Sequence, residues 1–167
     1  HSDAARALGL AFEQQRTHKR YIALVRGWLP EHADVHHPLR PDDAPPDAPV
    51  QDAHTRFRCL ARLELNACFD ARHPTTRASL VEAVPTTGRR HQIRRHLKHS
   101  SHNLVGDTSH GDGRHNREFR MRGVHRMLLH AWKLGFAHPH DGRRIEVEAP
   151  LDAEFARALA LFDWTPP

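Results

Sequence analysis

Apolar and polar side chains alternate along two stretches of the chain, and this alternation constrains its fold more than any other feature. A period of two residues puts every second side chain on the same face, which is typical of a β-strand. One stretch covers residues 54–65 and the other, "TRASLVEAVP", covers residues 76–85. The turn sequence "HPTT" leads into the second stretch, so the two are predicted to form an antiparallel pair. In the first stretch, residues 54–65, the side chains of one face are Phe57, Cys59, Ala61, Leu63 and Leu65.

Three more segments predict strands. The β-branched and aromatic run "RYIALVRGWL", residues 20–29, indicates a buried strand that ends at Gly27. The segments "RMLLHAWKLGFAHP", residues 126–139, and "GRRIEVEAP", residues 142–150, flank an Asp141-Gly142 turn and predict a second strand pair.

Helical patterns occur at both ends of the chain and in its middle. Residues 2–16 place Ala5, Leu8, Ala11 and Phe12 on one side of a helix, with Ser2 as a plausible N-cap, and we expect this side to pack on the strand at 20–29. A basic helix is predicted from Gly88 to Leu97, entered through Thr86 and Thr87 as caps. A short amphipathic helix, residues 152–161, begins at Asp152 as its cap.

These elements together predict one α+β domain over residues 1–167, with a mixed, mostly antiparallel sheet and flanking helices. The strands and helices do not alternate regularly, which argues against a parallel sheet. One segment interrupts the pattern, because "PLRPDDAPPDAPVQD" contains five prolines and four aspartates. Proline removes a backbone donor and fixes φ, so residues 38–53 are predicted to form an exposed loop.

Positive charge is concentrated in one part of the chain. The net charge is +5, but residues 86–130 alone have ten Lys and Arg against three Asp and Glu, a local balance of +7. Such a basic segment favours a polyanion, because neutralising phosphates releases condensed counterions. The alternative is a basic face that merely contacts solvent. Arginines near a helix N-terminus would favour phosphate, since backbone N–H groups and guanidinium groups then point in the same direction.

Two features indicate the cellular compartment. The only cysteines, Cys59 and Cys68, lack C-x-x-C spacing and a third partner, so they are predicted to be buried thiols in a reducing environment. The sequence also has no long apolar run and no signal-peptide core. We therefore expect a cytoplasmic protein that does not contact a membrane.

Histidine is abundant, and two groups of residues suggest metal chemistry. His91, His96, His99 and His102 lie in the basic segment, but the spacing of the first two turns them off a common helical face. Asp107, His110, Asp112 and His115 suggest a metal-dependent phosphodiesterase. The bland interpretation of both groups, which we favour, is phosphate or solvent contact for the first and a structured turn for the second. No metal site is predicted.

Four segments resemble a known family in their order and spacing. They are "KRYIALVRG", "TGRRHQIRRHLKHSSHNLVGD", "RMLLHAWKLGFAHPHDG" and "IEVEAPLD", and they span nearly all of the chain. They are similar to the later motifs of RluA-type RNA pseudouridine synthases, and "TGRRHQIR" and "LLHA" are the most specific of them. The segment "GDTSHGDGRHNREFR" is similar to a tRNA-acting branch of that family.

The resemblance implies a pseudouridine synthase fold and the isomerisation of uridine to pseudouridine without a cofactor. The uridine is flipped out of the RNA, and its base is detached from C1′, rotated and rejoined through C5. The substrate implied is tRNA, at a T-stem uridine, with rRNA as an alternative; the enzyme is expected to be a monomer. The tyrosine of the family matches Tyr21, the candidate for the proton step at C5, and its basic residue matches Arg94 in "HQIR".

The basic segments are expected to bind RNA. The candidate RNA-binding residues are Lys19, Arg20, Arg89, Arg90, His91, Gln92, Arg95, Lys98, Arg114, Arg117 and Arg126.

One expected element of the family is missing. The nucleophilic aspartate of the family lies in an "HRLD" motif before the tyrosine, and no "HRLD" occurs in these 167 residues. Asp3 lies in a predicted helix and Asp107 in the later "GD" turn, so neither is expected to take that role. Either the chain is the C-terminal part of a longer enzyme, which we favour, or it is a catalytically inactive RNA-binding protein.

Overall fold

A single antiparallel sheet organises the chain. The computed structural model describes residues 2–164, and its six strands follow the order β2-β3-β4-β1-β5-β6 with every neighbouring pair antiparallel. The strands are β1 (His18–Arg26), β2 (His32–His36), β3 (His54–Leu65), β4 (Thr76–Pro85), β5 (Leu129–Ala137) and β6 (Arg144–Glu148). The helices are α1 (Ser2–Glu13), α2 (Gln92–His99), α3 (Gly113–Met121) and α4 (Ala153–Ala160). This arrangement confirms the predicted α+β class.

Strand β1 lies at the centre of the sheet and is buried on both faces. Ile22 and Leu24 pack with residues of α3 and α4, whereas Ala23 and Val25 pack with residues of α2. Alternate side chains of a strand point to opposite faces, so the residues of β1 divide between two cores. Tyr21 packs with the core that contains Ala23 and Val25 and therefore lies on the α2 face of the sheet.

The two strand pairs predicted from the sequence are confirmed. β3 and β4 pair over ten residue positions, with an irregularity between Cys59 and Ala61 that leaves Leu60 exposed. β5 and β6 pair around the turn at Gly142, where φ is +72°. Strand β2 was not predicted, although the alternation of Ala33 and Val35 with exposed neighbours is its signal.

The basic helix begins later than the sequence predicts. α2 starts at Gln92 instead of Gly88, and His91 precedes it in a left-handed conformation with a φ of 54°. The reason is the buried Gln92 amide, whose Oε1 accepts hydrogen bonds from Thr87 Oγ1 (2.6 Å) and the Arg89 backbone N–H (3.0 Å). These bonds hold residues 87–91 in a turn, so Thr86 and Thr87 do not cap the helix.

Two other helices also differ from expectation. α1 includes Ser2, the predicted cap, and ends at Glu13 instead of residue 16. It has no buried residue and the Phe12 side chain is exposed, so α1 does not bury an apolar face on β1. α3 begins inside the segment from Asp107 to His115, which the sequence pattern assigns to a structured turn. It begins after Asp112, whose carboxylate accepts hydrogen bonds from the backbone N–H groups of Arg114 and His115. Within residues 2–164, no helix has the length and apolar character needed to cross a bilayer.

Candidate active site

A cleft of about 440 Å³ opens on the α2 face of the sheet. β1 contributes Tyr21 and α2 contributes Arg94, so the fold brings together two residues that lie far apart in the sequence. Its volume is within the usual range for a small-molecule site. The residues that line it are Phe12, Lys19, Tyr21, Pro85, Thr87, Gly88, Arg89, His91, Gln92, Ile93, Arg94, Met127 and Leu129.

Tyr21 and Lys19 form the β1 side of the cleft. Burial raises the pKa of the Tyr21 phenol, because the phenolate loses hydration, so the hydroxyl is protonated at neutral pH. Burial lowers the pKa of the Lys19 ammonium for the corresponding reason. The cleft therefore presents a neutral phenol beside an amine that loses its proton more readily than a surface lysine does.

The Arg94 guanidinium is held in place by a buried carboxylate. Its Nε and Nη2 atoms donate hydrogen bonds of 2.8 Å each to the two oxygens of Asp107, whose side chain has no exposed surface. Such a bidentate pair fixes both the position and the plane of the guanidinium. Within residues 2–164, no hydrogen bond uses Nη1 of Arg94, so this group is available to a ligand in the cleft.

Asp107 is ionised because of its hydrogen bonds. Burial alone would raise the pKa of this carboxyl, but hydrogen bonds from Arg94 and from the backbone N–H groups of His110 and Ser109 outweigh burial and lower the pKa to about 2. The sequence pattern leaves Asp107, whose side chain is buried, out of the nucleophile's role. It does not predict that Asp107 positions Arg94.

The turn that contains Asp107 is hydrogen-bonded to β1 on one side and to α3 on the other. The Val105 N–H donates to the Leu24 carbonyl of β1 (3.0 Å), and the Leu128 N–H donates to the Val105 carbonyl (2.9 Å). On the other side, Asn116 of α3 accepts a hydrogen bond from the Gly106 N–H and donates one to the Asp107 carbonyl. These bonds place Asp107, the partner of Arg94, beside the segment that contributes Met127 and Leu129 to the wall of the cleft.

The loop at residues 38–53, here called the acidic loop, contacts the basic segment. Asp42 pairs with His91 (2.9 Å), Arg95 (3.1 Å) and Arg90 (3.5 Å), and Asp43 pairs with Arg90 (2.6 Å). The loop is mostly exposed, as its prolines indicate, but it is not detached from the domain. Aspartates of this chain thus occupy cationic groups that are candidates for binding phosphate.

The other candidate RNA-binding residues differ in their surroundings. Lys19, Arg89 and His91 line the cleft, whereas Arg20 lies on the opposite face of the sheet and pairs with Glu82 at 2.7 Å. The Gln92 amide is buried and used internally, because its Nε2 also donates to the His54 carbonyl (2.9 Å). These positions do not support direct RNA contacts by Arg20 and Gln92.

The last four candidates, like Arg20, Arg90 and Arg95, do not line the cleft. Lys98 and Arg117 are exposed and have no ion pair within the part of the chain that the structure describes. Arg114 is exposed and pairs with Asp70 at 3.4 Å. Arg126 binds Asp152 and donates a hydrogen bond to the Met127 carbonyl (2.5 Å), so it braces the cleft wall instead of presenting a free cation.

The two metal hypotheses based on the sequence find no support in the geometry. Asp107 is bound to Arg94 and Asp112 caps α3, so these carboxylates are not free to bind a metal ion for a phosphodiesterase. The buried His96 bonds to Thr55 Oγ1 (2.9 Å) and the His37 carbonyl (3.0 Å), which separates it from the other histidines of its segment. Among residues 2–164, neither group forms a cluster with metal-ligand spacing.

Sequence reasoning missed the residues that complete the site. Phe12, Met127 and Leu129 form apolar wall, and Asp42, Asp107 and Asn116 act through other residues. Apolar, acidic and amide side chains in these positions resemble ordinary core, loop and turn residues. Their contribution depends on contacts between segments that are distant in sequence, so no local pattern indicates it.

Residues 1–99 match the RNA pseudouridylate synthase family. The tRNA pseudouridine synthase C of Salmonella typhimurium is 42% identical over 98% of this chain and 65% of the relative, and that of Pasteurella multocida is 39% identical over 98% of this chain and 70% of the relative. The chain thus spans about 65% of the length of the Salmonella relative.

Two solved human structures share the fold. RNA Pseudouridylate Synthase Domain Containing 1 is 26% identical with a TM-score of 0.70, over 90% of this chain and 61% of that one. RNA Pseudouridylate Synthase Domain Containing 4 is 20% identical with a TM-score of 0.72, over 100% of this chain and 70% of that one, and it supports the fold alone. On the family match and the identity to its bacterial relatives, this chain belongs to the RNA pseudouridylate synthase family.

Proposed function

We propose that this chain is the part of a tRNA pseudouridine synthase that contributes Tyr21 and Arg94 to the active site. The observation that carries the proposal is the cleft that Tyr21 and a fixed Arg94 both line, together with the apolar side chains of Met127 and Leu129. A flipped uracil needs both an apolar surface on which to stack and polar groups to orient it. The names of the bacterial relatives support tRNA as the substrate.

The reaction is an isomerisation in which no atom is gained or lost. The bond between N1 and C1′ breaks, the base rotates, a bond between C5 and C1′ forms, and the hydrogen on C5 leaves as a proton while N1 acquires one. In our proposal Tyr21 lies against the base and serves the proton step at C5. Arg94 donates through Nη1 to the nucleophilic aspartate, which keeps that carboxylate ionised.

We propose that the aspartate comes from polypeptide outside residues 1–167, since these residues contain no "HRLD" motif. The test compares this chain with a version extended upstream through that motif, each incubated with a tRNA transcript. Mass spectrometry of the nucleosides should find new pseudouridine only with the extended protein. Pseudouridine formed by the 167-residue chain would refute the external aspartate, and none with either version would support an inactive RNA-binding protein. The monomeric state and cytoplasmic location stay predictions.

Replacing Tyr21 with phenylalanine in the extended protein should strongly slow product formation while preserving binding. The ring is retained, so stacking on uracil persists, but the hydroxyl that serves the proton step is lost, which costs about 100-fold or more in rate. Single-turnover assays of pseudouridine formation measure the rate, and filter binding measures affinity for tRNA. Wild-type turnover in this variant would exclude Tyr21 from the chemistry. The thermal unfolding midpoint serves as the folding control.

The acidic loop predicts a gain of function. Replacing Asp42 and Asp43 together with asparagine frees Arg90, His91 and Arg95 from their carboxylates, and we expect affinity for tRNA to rise by about tenfold at low salt. The matched control replaces Asp47 and Asp52 of the same loop, which changes the net charge by the same amount.

Neither Asp47 nor Asp52 forms an ion pair through its carboxylate within residues 2–164, so the control removes the same negative charge without breaking an ion pair. Filter binding at several salt concentrations measures both variants. A larger gain for the first pair, with a steeper salt dependence, indicates competition between the loop and RNA phosphates. Equal gains would show that only the overall charge matters and would exclude that competition.

A further inference from the structure

Three side chains with metal-ligand chemistry lie together at the β2–β3 edge of the sheet. Asp34 and His36 are two residues apart on β2, so they share a face of that strand, and His54 lies directly opposite His36 in the antiparallel register. Asp34 and His36 are exposed, at 60% and 65% of their side-chain surface, so a solvated ion reaches them without any opening of the protein. None of the three lines the cleft.

The three side chains converge on one point. The Nε2 atom of His54 contacts the Oδ1 atom of Asp34, and the Nε2 atom of His36 lies 3.7 Å from the same oxygen. One ligand atom from each residue falls within 4.8 Å of the other two. The imidazole rings of His36 and His54 stack with centroids 3.7 Å apart and planes 9° apart, so both rings present an edge to the same place.

A hydrogen bond at Nδ1 fixes the orientation of the His54 ring. Thr86 Oγ1 lies 2.8 Å from His54 Nδ1, which leaves Nε2 directed at Asp34. A hydrogen bond at the second ring nitrogen is the usual support of a metal-binding histidine. The Asp34 carboxylate also turns toward the imidazoles and makes no ion pair, within the described residues, with Arg56, its partner in the strand register.

We propose that Asp34, His36 and His54 bind a divalent transition-metal ion such as Zn²⁺, with water in the remaining coordination positions. Two imidazole nitrogens and one carboxylate oxygen suit Zn²⁺, Ni²⁺ or Cu²⁺, whereas Mg²⁺ prefers oxygen ligands alone. This site is independent of the proposed function. It lies behind the turn at residues 87–91, because the His54 N–H donates to Thr87 Oγ1 at 3.0 Å, so bound metal would stabilise that turn from outside the cleft.

The experiment titrates chelator-treated protein with ZnCl₂ in an isothermal calorimeter, with equilibrium dialysis and elemental analysis to give the stoichiometry. The wild-type chain should bind one Zn²⁺ that the H36A and D34N variants bind about tenfold or more weakly. The H32A variant is the matched control, because His32 is an exposed histidine on the same face of β2 and lies outside the cluster. It should bind Zn²⁺ as the wild type does.

Two further readings decide the outcome. Zn²⁺ should raise the unfolding midpoint of the wild type and of the H32A variant but not that of the H36A variant, and Mg²⁺ should raise none of them. Equal Zn²⁺ binding by wild type and the H36A variant would overturn the proposal, as would the absence of binding. An equal response to Mg²⁺ would overturn the assignment of metal class, because two imidazoles and one carboxylate should discriminate against that ion.

Discussion

Replacing Arg94 with methionine should lower the free energy of unfolding by about 3–5 kcal/mol, because it leaves the Asp107 carboxylate buried without its counter-charge. The side chain of Asp107 has no exposed surface, so water does not replace the lost guanidinium. Chemical denaturation monitored by circular dichroism measures the change. The K98M variant is the control, since Lys98 is an exposed residue of α2 without an ion pair among residues 2–164, and it should change stability by less than about 0.5 kcal/mol.

A double variant separates stability from function. Replacing Asp107 with asparagine in the Arg94→Met background removes the buried charge and keeps an oxygen that accepts from the Ser109 and His110 N–H groups. We expect a coupling energy of about 2 kcal/mol, so part of the lost stability returns. Pseudouridine formation by the extended protein should stay absent, because the guanidinium is still missing. Recovered activity would show that Arg94 serves only the fold.

The same pair predicts part of the acid unfolding. The pKa of Asp107 is about 2 in the folded protein, below its ordinary value of 3.8. A carboxyl with a lowered pKa stabilises the fold fully above its unfolded pKa, and this contribution is lost as pH falls through the folded pKa. Wild-type stability should therefore decline from about pH 4 toward pH 2, and D107N should lack this part of the decline. Parallel acid limbs in the two proteins would contradict this assignment.

Replacing Gly106 with alanine should destabilise the protein by roughly 3 kcal/mol, through both strain and collision. Gly106 has a φ of +79°, which an L side chain rarely adopts, and a Cβ atom there would lie 2.0 Å from the Arg126 carbonyl oxygen. That oxygen belongs to the backbone, so relief requires the segment leading to Met127 to shift. Denaturant unfolding measures the loss of stability.

Alanine substitutions at two other glycines distinguish backbone strain from steric collision. Gly142 has a φ of +72° but open space around its Cβ position, so alanine there should cost about 1 kcal/mol from strain alone. Gly113 has open space and no positive φ, so alanine there should be neutral or stabilise α3 by about 0.5 kcal/mol. If all three variants proved equally stable, the close approach of Gly106 to Arg126 would be wrong.

Local patterns were sufficient for most of the sheet. The alternation at residues 54–65 and 76–85 specifies a strand pair, because apolar and polar residues alternate with a period of two when one face of a strand is buried. The caps and turns at Asp152 and Gly142 follow from side-chain and φ preferences that act within a few residues. Motif resemblance, which needs no coordinates, predicted Tyr21 and Arg94 as site residues, and both line the cleft.

Sequence alone therefore determined the class of fold, the family resemblance and the choice of candidate site residues, because these depend on neighbours along the chain. Only the tertiary structure decided that Arg94 is held by Asp107, that the acidic loop neutralises Arg90, His91 and Arg95, and that α2 begins at Gln92. Each of these depends on a hydrogen bond or ion pair between distant segments. Charge and spacing along a chain do not indicate which carboxylate will reach which cation until burial and chain topology have brought them together.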